Sequence, residues 1–200
     1  MAIPVLLVGH SFTKRLVKYM KEVGKQNFDV PGVALTVHNH CKGGAKLEFV
    51  QSPETRSQVA LLQPRVIVID VGTNDLDDPH VRPETLANQL FNFAEFLHFG
   101  YSVDHVILLP VLPRFRGKFQ AHVPDFAEKV ERFNKALRAL CKECVQAGGG
   151  VHFWSHKRIN TLLPTLVFDG VHLNQAGMVR YFYSVRLAVK LFVTAVAANK

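Results

Sequence analysis

The stretch PVLLVGHSFTKRL (residues 4–16) predicts a buried strand, a tight turn and a basic helix in direct succession. Its first part, PVLLVG (4–9), is continuously apolar, as in strands that are covered on both faces of a parallel sheet. Ser11 stands where the strand gives way to the helix. Ligands of parallel sheets bind beyond the carboxyl ends of the strands. Ser11 is therefore either the cap of a helix or a nucleophile at the mouth of a cleft.

The same alternation continues along the chain. Further strand candidates are VALTVH (33–38), RVIVIDVG (65–72), HVILLPV (105–111) and GVHFW (150–154). Helical patterns lie near 12–24, 45–51, 83–99, 124–147 and 175–195. Strands that alternate with helices predict an α/β protein, here a three-layer α/β/α sandwich on a parallel five-stranded sheet. Because no repeat or linker interrupts the pattern, we expect one domain over residues 1–200.

Chain length, net charge and apolar content limit the kinds of partner and the location that we expect for this protein. The chain has 200 residues and a net charge of +8, which admits a nucleic acid, an anionic membrane surface or an anionic substrate as partner. No segment reaches the ~18 uninterrupted apolar residues of a membrane span. The N-terminal MAIPVLLVG lacks the basic region of a signal peptide. We expect a soluble intracellular protein.

The cysteines do not indicate a disulfide framework, because Cys41, Cys141 and Cys144 are an odd number. Cys141 and Cys144 form a CKEC inside a helical pattern, and no second CxxC or paired HxxxH supplies further metal ligands. We expect two partly buried thiols there and no metal site.

Polar residues that follow the predicted strands form a catalytic constellation. A serine hydroxyl needs a neighbouring base, and a histidine base needs an acceptor on its other ring nitrogen. Asp169 lies three residues before His172, close enough to fold back onto its Nδ1. Backbone N–H groups of Ser11 and Gly44 and the side-chain amide of Asn74 are candidate donors to a developing oxyanion.

These residues resemble the SGNH hydrolases, the GDSL-type esterase and lipase group. The four blocks are VGHS, CKGGAKL, VGTND and DGVH, in the family's order. The resemblance implies a flavodoxin-like α/β/α fold and hydrolysis of esters or thioesters without a metal or cofactor. By position, it makes Ser11 the nucleophile, His172 the base and Asp169 the residue that orients the base. It makes Ser11, Gly44 and Asn74 the oxyanion hole.

One residue departs from the family pattern. The family usually has Asp before the serine, whereas this chain has His10, followed by Ser11 and Phe12. The GHSF variant is similar to SGNH domains encoded in animal mobile elements. His10 is a candidate substrate-binding residue, and a plain packing role is the alternative.

The segment LPRFRGKFQAHVP (112–124) contains the residues on which the substrate hypothesis is based. Arg114, Arg116 and Lys118 alternate there with Phe115 and Phe119. Beside a catalytic serine, these cations are candidate ligands of a carboxylate, a phosphate or a polynucleotide backbone. A solvated basic loop is the alternative.

The sequence thus predicts a serine esterase that acts on short acyl esters, such as an acetyl group on a larger carrier. One alternative is a catalytically weak accessory module that engages RNA or an anionic surface through its basic face. Another is a flavodoxin-like binder of a phosphorylated small molecule.

Overall fold

The computed structural model describes residues 1–115, 124–157 and 159–198. Its centre is a five-stranded sheet in the order β2-β1-β3-β4-β5, in which every neighbouring pair is parallel. The strands are β1 (Ile3–Gly9), β2 (Leu35–Cys41), β3 (Val66–Asp70), β4 (His105–Leu108) and β5 (Val151–Phe153). The predicted fold class, an α/β sandwich on a parallel five-stranded sheet, is confirmed.

Helices cover both faces of the sheet. They are α1 (Ser11–Glu22), α2 (Leu47–Val50), α3 (Pro53–Leu62), α4 (Pro83–Gly100), α5 (Phe126–Gln146), α6 (Ile159–Leu166) and α7 (Gln175–Ala198). Because side chains alternate along a strand, Leu6 and Val8 of β1 join the core beneath α3, α4 and α5. Val5 and Leu7 join the core beneath α1 and α7. This two-sided burial explains the uninterrupted apolar runs.

Two helices were not predicted from the sequence. Ser52 caps α3, its Oγ accepting a hydrogen bond from the Thr55 N–H at 3.2 Å, and Pro53 occupies the first turn. These are ordinary start signals, but only Thr55 and Val59 of α3 are buried, so no apolar period accompanies them. In α6, Pro164 lies inside the helix, a position from which proline is normally excluded. The helix predicted over 45–51 is only the four-residue α2.

Strand ends also differ from the prediction in ways that shape the cleft. The strand predicted over 33–38 extends to Cys41, which pairs with Gly9 and brings the next loop beside the start of α1. The strand predicted over 105–111 stops at Leu108. Beyond it, the Asn134 side chain of α5 bonds to both backbone groups of Val111, at 2.9 and 2.8 Å, where a neighbouring strand would otherwise pair.

Within the described residues, α7 is the one helix long and apolar enough to cross a membrane. Its inner face is packed against the sheet, with Tyr181, Phe182 and Val185 in the core. The core helix of a protein can have the same length and apolar composition as a membrane-spanning helix. In this structure, the inner face of α7 packs in the core.

Candidate active site

The turn between β1 and α1 holds Ser11 at the first position of the helix. Gly9 permits this turn, because a Cβ there would lie 2.5 Å from the Thr13 Oγ1 and 2.7 Å from the Asp70 carbonyl oxygen. The His10 N–H donates to that same carbonyl at 3.1 Å. The half-buried hydroxyl of Ser11 therefore lies at a helix N-terminus, where the helix dipole favours negative charge.

His10 lies beneath this turn and has no access to a bound substrate, since only 2% of its surface is exposed. Its Nδ1 accepts a hydrogen bond from the Phe12 N–H at 3.3 Å and so caps α1. Its Nε2 lies 3.2 Å from Asp70 Oδ1. The structure therefore gives His10 the packing and capping role that was the alternative, and not a contact with substrate.

Asp70 ends β3 and is the centre of a buried polar network. Its Oδ2 accepts hydrogen bonds from Thr13 Oγ1 at 3.0 Å and from the Tyr181 hydroxyl at 2.6 Å. Burial alone would raise the pKa of Asp70, but the His10 ring and the two hydroxyl donors outweigh burial and lower the pKa. Burial and the Asp70 charge raise the pKa of Tyr181 well above its ordinary value. Asp70 is thus a stable carboxylate that fixes α1 to β3 and α7.

Asp169, His172 and Ser11 form a continuous line of hydrogen bonds. Asp169 Oδ2 lies 2.7 Å from His172 Nδ1, and His172 Nε2 lies 3.2 Å from Ser11 Oγ. Because the carboxylate accepts the Nδ1 proton, Nε2 is left as the acceptor for the serine hydroxyl. These two hydrogen bonds align Asp169 and His172 with Ser11, although His172 and Ser11 are 161 positions apart in the sequence.

The loop that carries the acid and the base is rigidly built. Asp169 Oδ1 accepts the N–H groups of Val171 at 3.0 Å and His172 at 2.7 Å, and Gly170 supplies the positive φ of 87° that the turn requires. Burial raises the pKa of Asp169, but these bonds and the His172 ring lower it further than burial raises it. Asn174 caps α7, its side-chain oxygen accepting a hydrogen bond from the Gly177 N–H at 2.9 Å.

Two phenylalanines enclose the His172 ring. Phe12 meets it edge to face at 6.2 Å between centroids, and Phe168 stacks on it at 6.1 Å. The Arg15 guanidinium lies 5.4 Å from the centre of the Phe168 ring. Phe168 remains 59% exposed, so it forms an outer wall of the site rather than part of the core.

The two further oxyanion candidates lie beside each other. Asn74 Nδ2 donates to the carbonyl of Ala45, the residue after Gly44, at 3.0 Å. Gly44 has a φ of 71°, which a glycine adopts without strain. The Lys42 N–H donates to the Gly9 carbonyl at 3.0 Å and ties this loop to the nucleophile turn. The structure thus brings the loops of Ser11, Gly44 and Asn74 together.

Arg114 does not project into solvent, as the predicted basic loop implied, because only 8% of its side chain is exposed. It donates to the Thr73 carbonyl at 2.8 Å, to Asn74 Oδ1 at 3.2 Å and to Asp77 Oδ2 at 2.7 Å. Its guanidinium also lies over the Phe126 ring at 4.9 Å. Arg114 therefore holds the loop after β3, which accepts hydrogen bonds from four of its five N–H groups.

The other two predicted cations, Arg116 and Lys118, lie outside the described residues. The neighbouring Phe115 N–H donates to the Gly170 carbonyl at 2.8 Å. The segment after β4 is thus connected to both catalytic loops, to Asn74 through Arg114 and to Asp169 and His172 through Phe115.

Two adjoining cavities flank the Gly44 side of the site. One, of about 580 Å³, is lined by Gly44, Lys42, Lys46 and the half-buried His40. The other, of about 780 Å³, contains Asp75. Glu48, Ser52 and Glu54 line both cavities, so their walls combine charged and polar groups with apolar surface.

The CKEC cysteines lie on the inner face of α5. Cys141 and Cys144 are both buried free thiols, and burial raises the pKa of Cys141 to about 12. Among the described residues, no three His, Cys, Asp or Glu side chains come together as a metal site requires.

Sequence reasoning missed several residues that support the site. Asp70, Thr13 and Tyr181 hold the nucleophile turn, and Phe168 packs on the base. One signal was available: Asp70 is a carboxylate at the end of an otherwise apolar strand, and such a group is seldom buried without partners.

The fold is similar to those of several solved structures. The chain resembles a GDSL-like lipase from Bacteroides thetaiotaomicron (TM-score 0.72, 21% identity, 94% of this chain and 87% of that chain). It also resembles an acetyl esterase variant with an acetate ion (TM-score 0.72, 14% identity, 97% and 99%). An acetylxylan esterase from Geobacillus stearothermophilus is a third such structure (TM-score 0.65, 15% identity, 92% of each chain). A search of curated protein sequences finds no match.

At these identities, the solved structures establish the fold alone. The family follows from a sequence model: the model of the GDSL-like lipase/acylhydrolase family matches residues 10–180, from the residue before Ser11 to beyond His172. The chain belongs to the GDSL-like lipase/acylhydrolase family and is a hydrolase.

Proposed function

We propose that this hydrolase is a serine esterase that removes short acyl groups, of the acetyl type, from a larger polar carrier. The observation that carries the proposal is the hydrogen-bonded line from Asp169 through His172 to Ser11. A serine, a histidine and a carboxylate in this order are the groups that covalent acyl transfer requires.

Each group has a defined part in the proposed reaction. His172 Nε2 takes the proton of Ser11 as Oγ attacks the ester carbonyl carbon. Asp169 keeps the Nδ1 proton in place and stabilises the imidazolium that forms. The protonated His172 then donates its proton to the departing alkoxide, which leaves an acyl group on Ser11. A water molecule, deprotonated in turn by His172, attacks the acyl carbon; the bond to Oγ breaks, His172 returns the proton to Ser11, and the carboxylic acid is released.

The negative charge that develops on the carbonyl oxygen needs donors. The Ser11 and Gly44 N–H groups and the Asn74 amide are proposed to supply them. A single donor of this kind typically contributes about 3 kcal/mol to transition-state stabilisation. One Asn74 N–H is already held by Ala45, and Arg114 holds the amide oxygen, so the amide plane is fixed before a substrate binds. Arg114 is thus proposed as a positioning residue.

The walls of the site support the proposed substrate class. The cavities beside Gly44 are open, and Lys42, Lys46, Glu48 and Glu54 add charged groups to walls that also expose apolar surface, so a hydrophilic carrier finds partners there that a long alkyl chain would leave unused. Structural relatives described as an acetyl esterase and an acetylxylan esterase are consistent with a small acyl group.

Labelling with a fluorophosphonate, followed by intact-mass measurement, tests this proposal. Such a probe bonds to a serine only when its base and oxyanion donors are assembled. We expect one adduct on the wild-type protein and on Ser57→Ala, which removes an exposed serine of α3, and none on Ser11→Ala.

Turnover of p-nitrophenyl acetate and p-nitrophenyl octanoate then distinguishes short from long acyl groups. We expect the acetate to react faster. A folded wild-type protein without an adduct, or an adduct that persists in Ser11→Ala, would contradict the serine mechanism. Faster turnover of the octanoate would contradict the acyl-length proposal alone.

A further inference from the structure

The helical layer of α1 and α7 presents an outer surface that is both basic and apolar. Both helices pack on the same face of the sheet, so their outward side chains share one side of the molecule. The α1–α7 surface consists of the exposed residues Lys14, Arg15, Lys18, Lys21, Arg180, Tyr183, Leu187, Lys190 and Leu191.

The apolar part of this surface is a ridge along α7. Tyr183, Leu187 and Leu191 are spaced by four residues and therefore lie on one face of the helix. They are 53%, 50% and 56% exposed. The opposite face of α7 already packs in the core through residues such as Tyr181 and Val185, so core packing does not explain the ridge.

The charge of this surface is almost wholly positive. From Gly170 to Lys200, the chain contains no Asp or Glu. The one acid of α1, Glu22, forms an ion pair with Lys18 at 3.7 Å. By contrast, in the α4–α5 layer on the other side, five glutamates offset the five lysines and arginines of α5, so that these two helices carry no net charge: Glu84, Glu95, Glu128, Glu131 and Glu143. The positive charge is thus concentrated on the side that carries the ridge.

This combination identifies the kind of partner. An anionic lipid surface attracts lysine and arginine and also accepts leucine and tyrosine at the headgroup boundary. A nucleic acid would use the cations but gives an aliphatic ridge nothing to contact. A second copy would cover the ridge but would place the lysines of two copies against each other.

We infer that the α1–α7 surface docks on anionic membranes, with the Tyr183–Leu187–Leu191 ridge in the interfacial region and the surrounding cations against the headgroups. Both helices begin at the edge of the sheet where Ser11 and His172 lie. Arg15 and the exposed Phe168, which packs on His172, form the rim between that edge and the surface. A docked molecule therefore presents the rim of the candidate site to the bilayer. Docking itself does not depend on whether Ser11 is a nucleophile.

Co-sedimentation with vesicles tests this inference. Vesicles of phosphatidylcholine alone are compared with vesicles that contain about one third phosphatidylserine. We expect binding to the anionic vesicles only.

Leu187→Ser with Leu191→Ser should weaken this binding at least about tenfold, because two exposed apolar side chains lose their interfacial contact. Lys14→Gln with Lys190→Gln should weaken it by a similar factor, since each cation near an anionic leaflet contributes about fivefold.

Matched variants on other helices separate docking from general effects. Leu61→Ser with Phe99→Ser removes two comparably exposed apolar side chains of α3 and α4, and Lys135→Gln with Lys142→Gln removes two exposed cations of α5. Both pairs should leave binding unchanged. Equal losses in the control pairs, or binding to both kinds of vesicle, would overturn the inference.

Two further outcomes would also overturn it. If vesicles are not bound and RNA is bound, with the lysine variants weakened and the leucine variants unchanged, the surface serves nucleic acid. If vesicles are not bound and the protein sediments as a dimer that Leu187→Ser disrupts, the ridge is an interface between copies.

Discussion

Arg114 is the residue whose role depends most on its geometry. Its planar guanidinium donates to the Thr73 carbonyl, to Asn74 Oδ1 and to Asp77 at once. A lysine has the same charge but is a point donor, and it cannot span these acceptors in one plane. If the Asn74 amide is an oxyanion donor, its orientation depends on Arg114 although Arg114 does not touch the reacting atoms.

Arg114→Ala is therefore expected to lower kcat for acetyl ester hydrolysis by about 10- to 100-fold, less than the loss of a whole oxyanion donor. KM should change little, because the transition state is affected more than substrate binding. Steady-state kinetics measure both constants, and Arg114→Lys should recover only part of kcat.

Arg132→Ala is the matched control. Arg132 also joins two elements, through a bidentate pair with Glu84 on an exposed part of α4 and α5. This variant should leave both constants unchanged. A rise in KM at constant kcat in Arg114→Ala would instead make Arg114 a substrate ligand.

Some residues of the candidate site could be predicted from the sequence, and others could not. Ser11, Asp169 and His172 could be predicted because each lies in a short motif at the end of a strand, where a parallel sheet gathers its site. His10 and Arg114 could not be placed, because their roles depend on partners 60 and 40 positions away, Asp70 and Asn74. A basic side chain in a loop has the same sequence pattern whether it faces solvent or is buried against another loop.

At the scale of elements, the β1–α1 turn is fixed from below by the pair of His10 and Asp70. The two are buried to 2% and 3% exposure and joined at 3.2 Å. Other family members usually have an aspartate at the position of His10. This chain thus has a histidine beside a buried carboxylate, and the two positions are coupled.

His10→Asp should destabilise the protein by about 3–5 kcal/mol, because it places a second carboxylate against Asp70 without a compensating charge. The double variant His10→Asp with Asp70→Asn should recover most of the loss. Urea unfolding of the wild type, both single variants and the double variant measures the coupling. Additive effects in the double variant would contradict a direct interaction.

Some helices and strands could be predicted from the sequence, and others could not. The five strands and the long helices α4, α5 and α7 have apolar patterns strong enough to predict. α3 has only two buried side chains, and α6 contains a proline, so neither presents the expected signal. The early end of β4 could not be predicted, because Asn134 of a distant helix supplies the bonds that would extend it.

For the molecule as a whole, stability should depend on the pH through the buried His156 and the half-buried His152. Burial lowers the pKa of His156 to about 4, and burial together with the neighbouring His105 and His98 lowers the pKa of His152 to about 4. The unfolded chain binds protons near the ordinary histidine pKa of about 6.5. Between these values the unfolded state carries more protons, so stability falls as the pH falls.

We expect the free energy of unfolding to drop by about 1–3 kcal/mol from His156 alone between pH 7 and pH 4. Urea titrations across this range measure the slope. His156→Gln should flatten it even if the variant is less stable at pH 7, and the exposed His80→Gln should not. An unchanged slope in His156→Gln would show that His156 is protonated in the folded state.

The distance of 161 positions between Ser11 and His172 has a consequence for biosynthesis. Ser11 follows β1 and is therefore synthesised well before Asp169 and His172. The acid and the base follow β5, the strand added last at the far edge. If Ser11 is the nucleophile, a product truncated before residue 169 carries it without the proposed base and the residue that orients the base. Such a product is expected to be inactive in acyl transfer, and activity is expected only once the sheet is complete.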